Sequence, residues 1–175
     1  LNNTNNVINA TVSLKEQFPN RHIAIDSVRG QALVLRALIN FNLTQAFSQH
    51  YTYTADASHL GIPVLFETPF PGTPIKRQSL KEVYAQVIKD LEESIGLMTG
   101  RNNTNQVTAS VEAAQAFLSR VYLYMENWQA SEQYASQVLQ NSRFSLVSRE
   151  KYQMMYLDPA QRTGSRSPEV IWQFN

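Results

Sequence analysis

The residues of this chain that could carry out chemistry are few and scattered. Its three histidines, His22, His50 and His59, have no helical ligand spacing, and no His-Glu-x-x-His run occurs. Glu92 and Glu93 are adjacent, so a helix points them to different faces. They read as solvated surface and not as an acid–base pair. Ser79 and Ser119 lack the sequence context of a nucleophile. The six glycines are isolated, and no phosphate-cradling loop is present. Cysteine is absent, which removes disulfides, thiolate zinc sites and thiol nucleophiles. Arg36 and Asn40 sit four apart in a long apolar run and share a helical face. A buried arginine needs a carboxylate or several carbonyls, so a structural ion pair is the simplest reading. What remains is aromatic. His50, Tyr51, Tyr53, Phe66 and Phe70 fall in an irregular stretch from His50 to Arg77 that also holds Pro63, Pro69, Pro71 and Pro74. A loop of that length inside a compact domain is often functional.

Bulk properties narrow the classes further. The chain has 175 residues, 43% apolar and 17% charged, enough for one domain with a real core. Its net charge is +1 and no basic stripe occurs, so nucleic-acid binding has no electrostatic support. The longest apolar run, 32–43, is interrupted by Arg36, Asn40 and Asn42, short of the ~20 apolar residues a membrane span needs. No clustered set of titratable groups can be assembled, and the chain reads as a non-enzyme without cofactor or metal.

The elements that hold the aromatic stretch are helical. Ala114, Phe117, Leu118, Val121, Tyr122 and Met125 recur at spacings of three and four, which predicts a helix over 110–126. Asn127 supplies a turn or N-cap. Ala130, Tyr134, Ala135, Val138 and Leu139 then predict a helix over 128–141. Together they form a hairpin of the tetratricopeptide kind, with Phe117 and Tyr134 buried at its seam and Trp128 packing its turn. Ser79-Leu-Lys-Glu82 is a capping box that opens a helix over 80–97. Asp26 can cap a long helix over 27–48 that is apolar almost all round and therefore central. These two helices form a second hairpin with the irregular stretch inserted between them. A helix ends before Pro19. Short strands are expected at 62–66 and 170–174, with turns at Asp158-Pro159 and Gly164-Ser165. The fold class is mainly all-α, with tetratricopeptide-like hairpins, a long Pro-rich insertion and a short C-terminal strand. The expected organisation is a single partial domain over 1–175, cut at both ends.

Several segments together resemble the SusD/RagB family of outer-membrane nutrient-binding lipoproteins. The run Arg29-Gly-Gln-Ala-Leu-Val-Leu-Arg-Ala-Leu-Ile-Asn-Phe-Asn-Leu43 looks like the family's GEA-x-FLRA helix. Gly61-Ile-Pro-Val-Leu65 is similar to its GIPL/V segment. Arg77-Gln-Ser-Leu-Lys-Glu-Val-Tyr84 followed by Ile88-Lys-Asp-Leu91 matches its R-x-S-x-x-E-V-Y…I-x-x-DL pattern. The hairpin with Tyr122-Leu-Tyr124 and Asn127-Trp-Gln-Ala130, and the stretch Pro168-Glu-Val-Ile171, complete the series. Two departures are local: Gln31 stands for the usual Glu, and Phe47-Ser48-Gln49 for the usual Tyr-Gly.

The resemblance implies a protein anchored by a lipidated cysteine upstream of this fragment. It implies a lid on a TonB-dependent, SusC-like transporter at the outer-membrane surface. The ligand would be an oligosaccharide or, in some members, a peptide. Aromatic rings suit a sugar, whose axial C–H groups are apolar and slightly positive against the negative ring face. Tyr51 and Tyr53 are then the first candidates for ligand contact, with His50 and Phe70 beside them. The competing reading of each ring is that it tucks under the loop onto the core. A tetratricopeptide protein-interaction scaffold is the alternative function. It would need about three or more regular repeats, which the Pro-rich insertion interrupts.

Overall fold

The computed structural model describes residues 1–100, 106–150, 152 and 168–173. Among the described residues five helices follow in chain order: α1 (Asn2–Gln17), α2 (His22–Phe47), α3 (Leu80–Met98), α4 (Val111–Tyr124) and α5 (Trp128–Leu139). Each packs on the next, so α1/α2, α2/α3, α3/α4 and α4/α5 form a continuous antiparallel series. The loop 48–79 is carried between α2 and α3, as the sequence predicts.

The apolar stripes account for this stacking. Val34, Ala37 and Phe41 of α2 meet Leu80, Tyr84, Val87, Leu91 and Met98 of α3. Ala114, Phe117, Leu118 and Val121 of α4 close the same core from the other side. Phe41 sets its ring edge-on against Tyr84 at 5.7 Å and Phe117 at 5.3 Å, a geometry that brings a positive ring edge to a negative face. Ile8 of α1 joins Ala32 and Leu33 in a smaller cluster.

Polar ties then fix the helices' relative position. The Arg36 guanidinium donates two hydrogen bonds to Asp90, Nε to Oδ2 and Nη2 to Oδ1, both 2.7 Å. Both side chains are buried, with 7% and 1% exposure. Asn5 of α1 accepts from Arg36 Nη1 at 3.4 Å, and Gln86 donates to Asp90 at 2.7 Å. This is the structural ion pair expected of Arg36. Asn40, on the same face, is fully buried. Arg29 links the same three helices nearer the bundle's edge, through Glu93, the Ile8 carbonyl and Thr11.

Local signals set the helix ends. Ser79 Oγ accepts from the Glu82 amide and the Glu82 carboxylate accepts from the Ser79 amide, closing the capping box. These Ser79 contacts hold the Glu82 carboxyl below its ordinary value. Ser110 caps α4 and Asn127 caps α5. Across the α4/α5 seam, Ser119 and Ser131 exchange hydroxyl-to-carbonyl bonds of 2.9 Å.

Five expectations need correction. Helix α2 begins at His22 because a 3-10 turn at Pro19–Arg21 leads straight into it. Asp26 therefore lies inside the helix, where it pairs with Lys15 at 2.8 Å instead of capping. Residues 62–66 form no strand. The only bridge among the described residues joins Leu60 to Ser79, because Val64 bonds to the Gln78 side chain and not to a backbone. Of the strand expected at 170–174, residues 170–173 form none, with a bend at Ile171, and 174 lies outside the described residues. The backbone of 170–173 is engaged by Gln106, whose side chain donates to the Val170 carbonyl and whose own carbonyl accepts from Gln173. Trp128 is 61% exposed, since the Asn127 cap places the first residue of α5 on the outside of the turn. In the hairpin seam Phe117 is buried, as expected, whereas Tyr134 is only half-buried and stacks on Tyr122 at 5.7 Å. The turns expected at Asp158-Pro159 and Gly164-Ser165 lie outside the described residues.

Candidate functional site

The α2–α3 loop is clamped at its base before it does anything else. The Arg77 guanidinium donates to the carbonyls of Gly61, Phe47 and Leu60. Gly61 N–H donates to Gln78 O at 2.8 Å and Gln78 N–H to Ile62 O at 3.2 Å. The first turn of α3 closes the set, Leu80 N–H to His59 O and Lys81 N–H to Ala57 O. Ile62 and Val64 then bury against Val83 and Leu43.

This base explains the Gly61-Ile-Pro run. A Cβ on Gly61 would stand 2.8 Å from Val83 Cγ2 and 3.1 Å from Leu80 Cα. The second contact is backbone and cannot rotate away. Gly61→Ala is expected to cost about 1–3 kcal/mol by overpacking, read as a lowered denaturation midpoint at unchanged m. A loss below about 0.3 kcal/mol would show that the loop base is not held this tightly.

Beyond the clamp the loop divides into two parts. In the first, Tyr51–Tyr53 makes a 3-10 turn. Tyr51 leans inward onto Tyr84 with ring centroids 4.7 Å apart, and burial raises its phenol above the ordinary value. Tyr53 turns outward and is 58% exposed. His50 and His59 stand edge-on to it, at 5.9 and 5.4 Å. His59 Nδ1 is 2.8 Å from Thr54 Oγ1, and Thr52 donates to Glu126 in the α4–α5 turn at 3.2 Å.

In the second part, Asn5 and Asn9 of α1 donate to the carbonyls of Leu65 and Phe66 at 2.7 and 3.1 Å. The Arg36 guanidinium lies 5.1 Å from the Phe66 ring centre, so the buried ion pair also supports this wall. A cleft of about 450 Å³ opens here, lined by residues that include Phe66, Pro69, Phe70, Ile75 and Lys76. Phe70 is 84% exposed.

Of the four candidate rings, the fold brings His50 and Tyr53 together and tucks Tyr51 halfway under the loop. It places Phe70 on a different cleft, which none of the other three lines. Sequence reasoning passed over His59 as a partner of Tyr53. Their contact depends on the turn after Thr54 and leaves no spacing signal. Among the described residues no group of three His, Cys, Asp or Glu could hold a metal ion. No helix among them is long and apolar enough to cross a membrane. The loop can offer ring faces, ring edges and hydroxyls to a ligand.

A family model for SusD-like proteins, described as starch-binding and associating with the outer membrane, matches residues 3–123. The chain belongs to the SusD-like family. Solved SusD-like structures share its fold. One SusD superfamily protein from Bacteroides thetaiotaomicron is 33% identical, with a TM-score of 0.78 over 87% of this chain and 33% of that one. A SusD-like carbohydrate-binding protein from Bacteroides vulgatus is 25% identical, with a TM-score of 0.70 over 86% of this chain and 30% of that one. A second Bacteroides vulgatus protein, named as a candidate sugar-binding protein, is 25% identical. It covers 98% of this chain and 38% of its own length at a TM-score of 0.81. The chain thus spans about a third of the length of these SusD-like structures. No curated protein matches it.

Proposed function

We propose that this SusD-like chain is the helical part of a longer, non-enzymatic protein. That protein binds glycans at the outer-membrane surface and passes them to a TonB-dependent, SusC-like transporter. A lipid anchor on a cysteine upstream of residue 1 would hold it there. The observation that carries the reading is the loop 48–79, a clamped, aromatic-bearing insertion on a rigid helical stack within a family described as starch-binding. Ligand contact is assigned to this loop through Tyr53 and Tyr51, with His50 beside them and Phe70 on the neighbouring cleft. Tyr53 is more than half exposed and can meet a sugar ring, with His50 and His59 packed beside it. Tyr51 contributes its outer edge and keeps the turn seated on Tyr84.

The test is titration of a glycan panel into the full protein and into its Tyr51→Ala/Tyr53→Ala double variant. A drop of at least tenfold in affinity, with circular dichroism unchanged, is the expected result. Unchanged affinity would remove the 50–53 turn from the site. It would leave this turn as scaffold.

A further inference from the structure

We propose that the cleft beneath Phe70 is a second, separately built sugar subsite, selective for neutral glycans. This rests on the glycan-binding reading above and goes beyond it by adding a site with its own wall, platform and polar fringe.

The platform is Phe70. It opens a β-turn in which Thr73 N–H donates to Phe70 O at 3.0 Å, with Pro71 and Gly72 at the two central positions. Gly72 has φ +84°, the value a type II turn demands at its third residue, and Pro71 pre-sets the second. Pro69 and Pro74 flank the turn and limit the backbone on either side. Phe70 is therefore displayed at 84% exposure on a stiff corner, not on a floppy tip. Holding an apolar ring in water is unfavourable, and stiffening it there lowers the ordering cost when a partner covers it.

The wall is Phe66, fixed from behind by α1 and Arg36. The cleft between them, about 450 Å³, lies within the range that small-molecule sites occupy. Its fringe holds Glu67, Thr68, Thr73 and Lys76. None of these side chains makes a hydrogen bond or ion pair with the described residues, unlike Gln78, whose side-chain oxygen accepts from the Val64 amide. A pyranose fits this set: one face on Phe70, and hydroxyls that donate to the Glu67 carboxylate and accept from the Lys76 ammonium. One charge of each sign offsets the other, so a uronic acid gains at Lys76 and loses at Glu67. A proline-rich peptide would use the ring but leave both charges unpaired.

Isothermal titration separates this proposal from the broader reading. Maltoheptaose, laminarihexaose, cellohexaose and hexagalacturonate are titrated into the full protein and into its Phe70→Ala, Phe70→Trp and Tyr53→Ala variants. The expected result is binding of at least one neutral glycan, weakened tenfold or more by Phe70→Ala and retained by Phe70→Trp. Hexagalacturonate is expected to bind at least tenfold more weakly. If Phe70→Ala leaves affinity unchanged while the wild type binds, the second subsite is overturned and the glycan reading stands. Preference for hexagalacturonate overturns the selectivity. No binding to any of the four by the wild type overturns both. Phe70 lies on the surface, so its replacement leaves the core untouched, and circular dichroism checks this.

Discussion

Arg36→Leu is expected to destabilise the chain by about 3–5 kcal/mol, the usual loss when one partner of a buried ion pair is removed. The cost comes less from the lost attraction than from what stays behind. Asp90 is 1% exposed, and without Arg36 its carboxylate keeps only Gln86 as a partner. Asn5 loses a donor and Phe66 loses the guanidinium beneath it. The damage should therefore reach α1 and the loop wall as well as the α2/α3 seam. Arg36→Leu/Asp90→Leu removes both charges together and is expected to recover most of the loss, since apolar pairs of similar volume often replace buried ion pairs without penalty. Urea denaturation of the two variants gives both numbers. A double variant as unstable as the single would show that the site needs the ions themselves. A single variant losing under about 1 kcal/mol would show that water reaches Asp90.

Phe117→Ala is expected to cost a similar amount, about 3–5 kcal/mol, by a different route. Phe117 is 8% exposed and meets Phe41 edge-on at 5.3 Å. Phe41 in turn touches Tyr84 and Tyr124, so removing one ring opens a cavity beside a connected aromatic set. The neighbours are fixed to three helices and cannot collapse fully into the space. Phe117→Leu keeps part of the volume and should lose markedly less. A loss under about 1 kcal/mol for the alanine variant would place the ring on the surface.

The helices were legible because burial on one face imposes a spacing of three and four. The prediction of 80–97 met α3 at Leu80–Met98, and 128–141 met α5 at Trp128–Leu139. Capping chemistry is equally local, so Ser79-Leu-Lys-Glu82 and Asn127 could be read directly. Asp26 shows where this stops. An acid beside an apolar run suggests a cap, but its partner Lys15 belongs to another helix, and only the α1/α2 packing brings them together. Val64 and Val170 failed for the same reason. Their alternation suggests strands, yet the groups that satisfy those backbones are the side chains of Gln78 and Gln106. In the loop, sequence could name the rings but not their directions. Tyr51 and Tyr53 are two residues apart on one 3-10 turn, and Tyr84 attracts only the first.

The Arg77 clamp has a consequence for how such a loop can change over time. Because Arg77, Gly61 and Gln78 join the loop's two ends next to the helices, and Ile62, Val64 and Phe66 seat the residues just beyond Gly61, the exposed span 67–76 carries little of the fold's stability. Lengthening a flexible closed loop is inexpensive: each doubling costs only about 0.6 kcal/mol of closure entropy. Residues 67–76 are thus free to be inserted, deleted or exchanged while α2 and α3 keep their packing. A lineage can rewrite this exposed surface without refolding the stack that holds it.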